Sequence, residues 1–349
     1  MTSKLDHALL DSFDNYADIK NIEKIKSILN ALIHTKSKGF RGVVLTAIVG
    51  KHLDKSFDPL KNFYGCNPRS IFEKGIYYAL QNRIPCGKSD PLNVAKNINV
   101  LDREWARGKR PQTSAIAVVE FLEILENESN RVKREKLIGL FFLSLIDYVR
   151  DIQSLQIDIP SQKNLDILSI GNVLYSFVVS YPESGTTPQY IVYLLMKALY
   201  ENSKVVVEGG EDSVFGTNTT SKKLADIWLS INNKPFNLFE ITVKIIDFKR
   251  LDDCLENLNE LKANNLPLTF IACESNYKDL SVQNGSLEYK GRVFNFLKID
   301  SFIFTICTLL STIEIANLFI SITKHINDIN RPIHVRKGWK RILESSELK

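Results

Sequence analysis

The chain lacks paired cysteines. Its five, Cys66, Cys86, Cys254, Cys273 and Cys307, are odd in number and contain no C-x-x-C. That excludes a small disulfide framework and fits reduced thiols in a cytoplasmic setting. Its five histidines, His7, His34, His52, His325 and His334, stand in no zinc-ligand spacing with those cysteines. The opening segment "MTSKLDHALLDSF" has no apolar core, so no secretory signal is expected. No uninterrupted apolar run reaches bilayer length. The longest candidate, "SFIFTICTLLSTIEIANLFISITKH" at 301–325, is broken by Glu314 and Asn317 and reads as buried core helix. No membrane partner is expected. There is no low-complexity tract and no convincing internal repeat.

What is present is a chain of 349 residues with ordinary globular composition, long enough for about two domains. Its net charge is only +5, but the charge is unevenly spread. Between 61 and 110, ten basic residues face four acids, a surplus of six. A second cluster, "RPIHVRKGWKR" at 331–341, has no acid and includes Arg336 and Lys337. Such clusters suit phosphate neutralisation, and equally a solvated basic face.

The periodicity divides the chain near 155–164. Residues 1–160 read as helical, with apolar positions three and four apart in "KNIEKIKSILNALIH", "GFRGVVLTAIVGKHL" and "AIAVVEFLEILENE". "GFRG" reads as a helix entry with no further role. Residues 161–349 alternate helix and strand. "KVVVEGG" is a short strand. "LADIWLSI" and "FNLFEITVKII", joined by "NNKP", form a hairpin. "FKRLDDCLENLNELKANN" is an amphipathic crossover helix leading to "LPLTFIACE", a buried strand parallel to the one before it. The segment 275–291 reads as loop. The expected fold class is α/β with a mixed sheet, preceded by a mostly α-helical domain.

Within "LFEITVKI", strand parity puts Glu240, Thr242 and Lys244 on one side. Asp226 sits among apolar residues of the neighbouring strand, where a carboxylate is unfavourable unless exposed, paired or bound to a cation. Two carboxylates converging from a hairpin are suitable ligands for Mg²⁺, which prefers oxygen and keeps several waters. An amine beside them, with Lys244 the nearest, would stabilise developing negative charge. The same spacing also fits an ordinary exposed strand face.

These features resemble the PD-(D/E)XK nuclease core. The chain as a whole resembles the SacI-type family of type II restriction endonucleases, through "FRGVVLTAIVGKHLDKSFDPL", "CNPRSIFEKG", "GKSDPLNVAKNINVLDREWARGKRP" and "TTSKKLADIWLSI…FNLFEITVKIIDF". The resemblance implies Mg²⁺-dependent double-strand cleavage of a short palindromic DNA site, with Asp226 and Glu240 as the metal-binding acids. It would put lysine at 242, where this chain has Thr242. Lys244 lies about 7 Å beyond at strand rise, and Lys222 or Lys223 could substitute. Glu201 or Glu208 could complete the site. A homodimer would match two cuts to a palindrome. In the first half, Arg69, Ser70 and Lys74, then Lys88, Ser89 and Asn93, fall at helix starts suited to phosphate or guanine contacts. Arg103, Arg107 and Arg110 suit backbone contacts. Trp105 and Trp339 read as core anchors. Two alternatives remain: a DNA-binding protein with a decayed core, and a nuclease of the same core acting in repair or nicking.

Overall fold

The computed structural model describes residues 19–158, 166–210, 223–263, 265–273, 277 and 279–346. The chain divides into two compact units, Met1–Gln156 with Ile329–Pro332, and Ile157–Asp328 with Ile333–Lys349. The four-residue return to the first unit has no sequence signature.

The first unit is helical. Helices α1 (Ile22–Ile33), α2 (Lys38–Leu53), α3 (Asp90–Ala95), α4 (Gln112–Asn127) and α5 (Arg131–Ser154) carry most of it. Between α2 and α3, Pro68–Ile71 and Tyr77–Leu80 flank a wider helical turn, Phe72–Ile76. The role of "GFRG" differs from expectation. A Cβ on Gly39 would fall 2.8 Å from the Asp90 carbonyl oxygen, and one on Gly42 would fall 2.9 Å from Pro91 Cδ. The glycines are contact points where α2 meets α3, not merely a helix entry. The returning segment is secured here by Asn330, whose Oδ1 accepts from the Cys86 amide at 3.0 Å and from Lys38 Nζ at 3.2 Å.

The second unit is built on a mixed six-stranded sheet. Its strands are β1 (Val206–Glu208), β2 (Ile227–Ile231), β3 (Lys234–Thr242), β4 (Leu268–Ala272), β5 (Ser286–Tyr289) and β6 (Arg292–Lys298), in spatial order β1-β2-β3-β4-β6-β5. β2 and β3 form an antiparallel hairpin whose turn residues, Asn232 and Asn233, both have positive φ. Asparagine tolerates that conformation, which matches the twist of the strands. β3 and β4 are parallel, joined by the crossover helix Phe248–Glu260. The region 275–291 is not all loop: β5 pairs with β6 across a turn at Lys290–Gly291, both with positive φ.

The sheet is buried on both faces. On one, Ile227, Leu229, Ile241 and Ile271 pack with α6 (Ile167–Ser180), α7 (Thr186–Tyr200) and later helices. On the other, Leu238, Phe270, Phe294 and Phe296 pack with Leu251, Cys254 and Leu258 of the crossover helix, α8. The apolar run 301–325 is two helices, α9 (Ile299–Leu309) and α10 (Thr312–Ile326). Ser311 and Glu314 separate them with a reciprocal capping box. No helix among the described residues is long and apolar enough to cross a membrane. α11 (Ile333–Ser345) closes the unit and buries Trp339 completely.

Candidate active site

Asp226 stands immediately before β2, and Glu240 lies near the end of β3. The register pairs Ile227 with Phe239, so one further step sets Asp226 opposite Glu240. Phe239 and Ile241 serve the face of the larger helical cluster, while Leu238, Glu240 and Thr242 alternate onto the face covered by α8. The register therefore sets the two acids opposite each other at one end of adjacent strands.

Each acid is held differently. Asp226 Oδ2 accepts the Ile241 amide at 2.9 Å, closing the end of the β2–β3 ladder. The Asp226 backbone is fixed from both sides. Its carbonyl accepts from Gln189 Nε2 of α7 at 3.4 Å. Gly209 (φ +93°) lies so near that a Cβ there would be 2.5 Å from the same oxygen. Burial pushes the Asp226 carboxyl above the usual carboxylate range, against the Ile241 amide and the charges of Arg250 and Lys223, which pull it down.

Glu240 is buried and ion-paired. Arg250 Nη2 donates to Glu240 Oε2 at 2.6 Å, with the glutamate side chain 3% exposed and the arginine 41%. Arg250 occupies the first turn of α8, whose N-cap Asp247 accepts its amide at 2.9 Å. Burial pulls the guanidinium pKa down, but the nearby acids, Glu240 foremost, raise it overall. Nothing in the sequence pairs positions 240 and 250. The contact arises because α8 folds back over the strand it follows.

The expectation for Lys244 needs correction. β3 ends at Thr242, so strand parity does not extend to 244. Thr242 is buried, and its Oγ1 accepts the Lys244 amide at 3.0 Å, folding the turn out of the sheet. Lys244 is exposed beyond that turn. A hydroxyl-to-amide bond two residues on is a local competitor of strand extension, and it wins here. Lys222 lies outside the described residues. Lys223 is half-buried; its charge acts on Asp226, and its carbonyl accepts from Asn257 of α8 at 3.3 Å. Glu201 is exposed at the end of α7. Glu208 lies opposite Trp228, two positions along from Asp226, and accepts from Ser230 Oγ at 2.5 Å.

The donor chemistry suits a hard divalent cation. Asp226 and Glu240 stand opposite each other in the β2–β3 register, and Arg250 brings a positive charge against Glu240. Among the described residues no three His, Cys, Asp or Glu side chains gather around a metal position. The pair therefore offers two side-chain ligands and would leave the rest to water and phosphate, which Mg²⁺ accepts. Burial, with the Glu240 and Asp226 charges adding to it, pushes Cys254 well above a normal thiol. Burial also raises Cys66 and Cys86 to about 11 and Cys307 to about 12.

The proposed DNA-contact residues fall into distinct groups. Ser89 Oγ donates to Glu73 Oε1 at 2.6 Å, and Arg69 Nε lies 3.8 Å from the same oxygen. "NPRSIFEKG" and "GKSDPLN" thus meet through Glu73. Asn67 caps the Ser70 amide at 3.2 Å, and Asp90 accepts the Gly87 amide at 2.7 Å. Arg69, Lys74, Lys88, Asn93, Arg107 and Arg110 are exposed. Arg103 is engaged by Glu120 at 3.1 Å and Glu123 at 3.3 Å. Arg336, expected in the basic tail, is buried. It donates to the carbonyls of Asn327 and Asp328 at the end of α10, so it is a structural cap and not a surface cation. Its neighbour Lys337 is exposed. Trp105 is buried with its indole N–H donated to the Val94 carbonyl at 3.2 Å.

In comparisons with known proteins, the chain matches no family model and no curated protein.

Proposed function

We propose that this protein is a Mg²⁺-dependent endodeoxyribonuclease that makes double-strand cuts at a short palindromic DNA site, acting as a homodimer. The observation that supports the reading is the register that sets Asp226 opposite Glu240 at one end of adjacent strands, with Arg250 of α8 donating to Glu240. Two hard carboxylates at a strand end, with a basic side chain against one of them, are equipped to manage the charge of a phosphodiester.

Asp226 and Glu240 would hold the ion. Mg²⁺ bound there would polarise the scissile phosphate and lower the pKa of a coordinated water. The Ile241 amide keeps the Asp226 carboxylate turned toward the strand end, and the Gln189 and Gly209 contacts fix its backbone. In the first unit, the exposed cations Arg69, Lys74, Lys88, Arg107 and Arg110 would neutralise phosphates. A two-fold dimer would apply the same cut to each strand of a palindrome.

Incubation with phage DNA and Mg²⁺, followed by end-sequencing of the fragments, tests the reading. Discrete fragments with one common terminal sequence are expected. Glu240→Ala should abolish them while leaving duplex binding measurable. A second reading, a DNA-binding protein whose core no longer cuts, is favoured by Thr242 at the position where the motif has lysine. Duplex binding with no cleavage of duplex, single strands or RNA would select it.

A further inference from the structure

The cleavage reading leaves one chemical role unfilled. Hydrolysis of a phosphodiester forms a bond from a water oxygen to phosphorus and breaks the bond from phosphorus to the departing sugar oxygen. The water loses one proton, the departing oxygen gains one, and no electrons change hands. Negative charge grows on the phosphate and departing oxygens on the way, and a fixed cation lowers that barrier. The lysine nearest in sequence, Lys244, lies outside the strand and is exposed.

Resting on that reading, we propose that Arg250, from the first turn of α8, is the cationic catalytic residue of this site and contacts the scissile phosphate. The guanidinium spans two environments. Its Nη2 grips buried Glu240 at 2.6 Å, while 41% of the side chain remains exposed. Its Nε is buried with no hydrogen-bond partner. A planar fork of five N–H donors can hold a carboxylate on one edge and offer others to phosphate oxygens. Its charge also acts on Asp226. Arg250 stays protonated throughout; it moves no proton and acts only on charge. Its backbone is fixed because Asp247 caps the same helical turn.

Four proteins separate this role from its rivals: Arg250→Ala, Arg250→Lys, Lys244→Ala and Glu240→Ala. Each is assayed for single-turnover cleavage with Mg²⁺, for Mn²⁺ binding without DNA, and for duplex binding in Ca²⁺. Arg250→Ala should lose about 10²–10³ in cleavage rate, the usual loss for one charge-stabilising group. Its Mn²⁺ and duplex affinities should stay within about threefold, because the two carboxylates remain. Arg250→Lys should recover part of the rate, since a lysine restores the charge without the fork. Millimolar guanidinium chloride should restore part of the Arg250→Ala rate, which a merely structural defect would not permit. Lys244→Ala should cleave like wild type.

Arg250→Ala cutting within about threefold of wild type would overturn the proposal while leaving the nuclease reading intact. So would loss of Mn²⁺ binding in step with cleavage, which would make Arg250 a support for Glu240 only. Glu240→Ala that still cuts, or a wild type that cuts no nucleic acid, would remove the reading itself and this inference with it.

Discussion

The Arg250–Glu240 pair is asymmetric, and the asymmetry gives a stability prediction independent of any cleavage assay. Glu240 is 3% exposed and Arg250 41%. Removing one partner of a fully buried pair costs about 3–5 kcal/mol. In Arg250→Met the dry carboxylate loses its ion pair with the guanidinium. Because the pair's outer end meets solvent, the cost is placed lower, at about 2–4 kcal/mol. In Glu240→Gln the orphan is the arginine, whose head can turn to water, and the cost is about 0.5–1.5 kcal/mol. For a unit of this size about 1 kcal/mol moves Tm by about 2–4 °C. Arg250→Met should therefore melt about 4–16 °C lower at neutral pH without divalent ions. Mg²⁺ at a hundred times its dissociation constant adds about 2.7 kcal/mol. It should offset most of the Arg250→Met loss and stabilise Glu240→Gln by about 1.4 kcal/mol or less, since a site about tenfold weaker keeps about half of that gain. Differential scanning calorimetry with and without Mg²⁺ decides the matter. Equal losses in the two variants, or an Arg250→Met protein indifferent to Mg²⁺, would refute the idea that this carboxylate site demands a cation.

Three further predictions follow from other contacts. Asp226 has its carboxyl raised by burial, so the folded protein holds this proton more tightly than the unfolded chain. Without metal, stability contributed here is greatest in acid and is lost as pH climbs from the usual carboxylate range through the raised value. Asp226→Asn should flatten that fall in urea titrations and make the metal-free protein more stable at pH 8. Gly42→Ala puts a Cβ 2.9 Å from Pro91 Cδ, so α2 and α3 must separate. A loss of about 1–3 kcal/mol is expected in chemical denaturation, the usual cost of overpacking. Among the basic residues, Lys88→Ala or Arg107→Ala should each lower the salt slope of duplex binding by about 1 per phosphate contact removed. Arg103→Ala should change it less because Glu120 and Glu123 already hold that charge, and Arg336→Ala should lower stability instead of the slope.

Much of the second unit was legible in the sequence because its signals are local. "NN" between two alternating segments specifies the β2–β3 hairpin, and the amphipathic α8 between two strands specifies a parallel crossover. The placing of Asp226 opposite Glu240 follows from that hairpin's register. The less legible features depend on contacts distant in sequence or on a single bond. The end of β3 is set by one hydroxyl, Thr242 Oγ1, taking the Lys244 amide, and alternation of side chains carries no trace of it. The partnership of Arg250 with Glu240 exists only once α8 docks on the sheet. Arg336 and Lys337 are adjacent in a basic run, yet the helix turns one onto the α10 terminus and the other to water. Two local signals do lie in the sequence. The Ser311–Glu314 box divides a long apolar run, and Lys290–Gly291 marks a hairpin inside an apparent loop.

The central claim is that Asp226 and Glu240 together bind a divalent cation, and Mn²⁺ titration followed by electron paramagnetic resonance tests it most directly. Wild-type protein should take up Mn²⁺ with Mg²⁺ competing for it, and Asp226→Asn and Glu240→Gln should each weaken uptake by at least about tenfold, within the range of one lost charge-assisted ligand. Uptake that is absent in the wild type, or unchanged in both variants, would contradict the account.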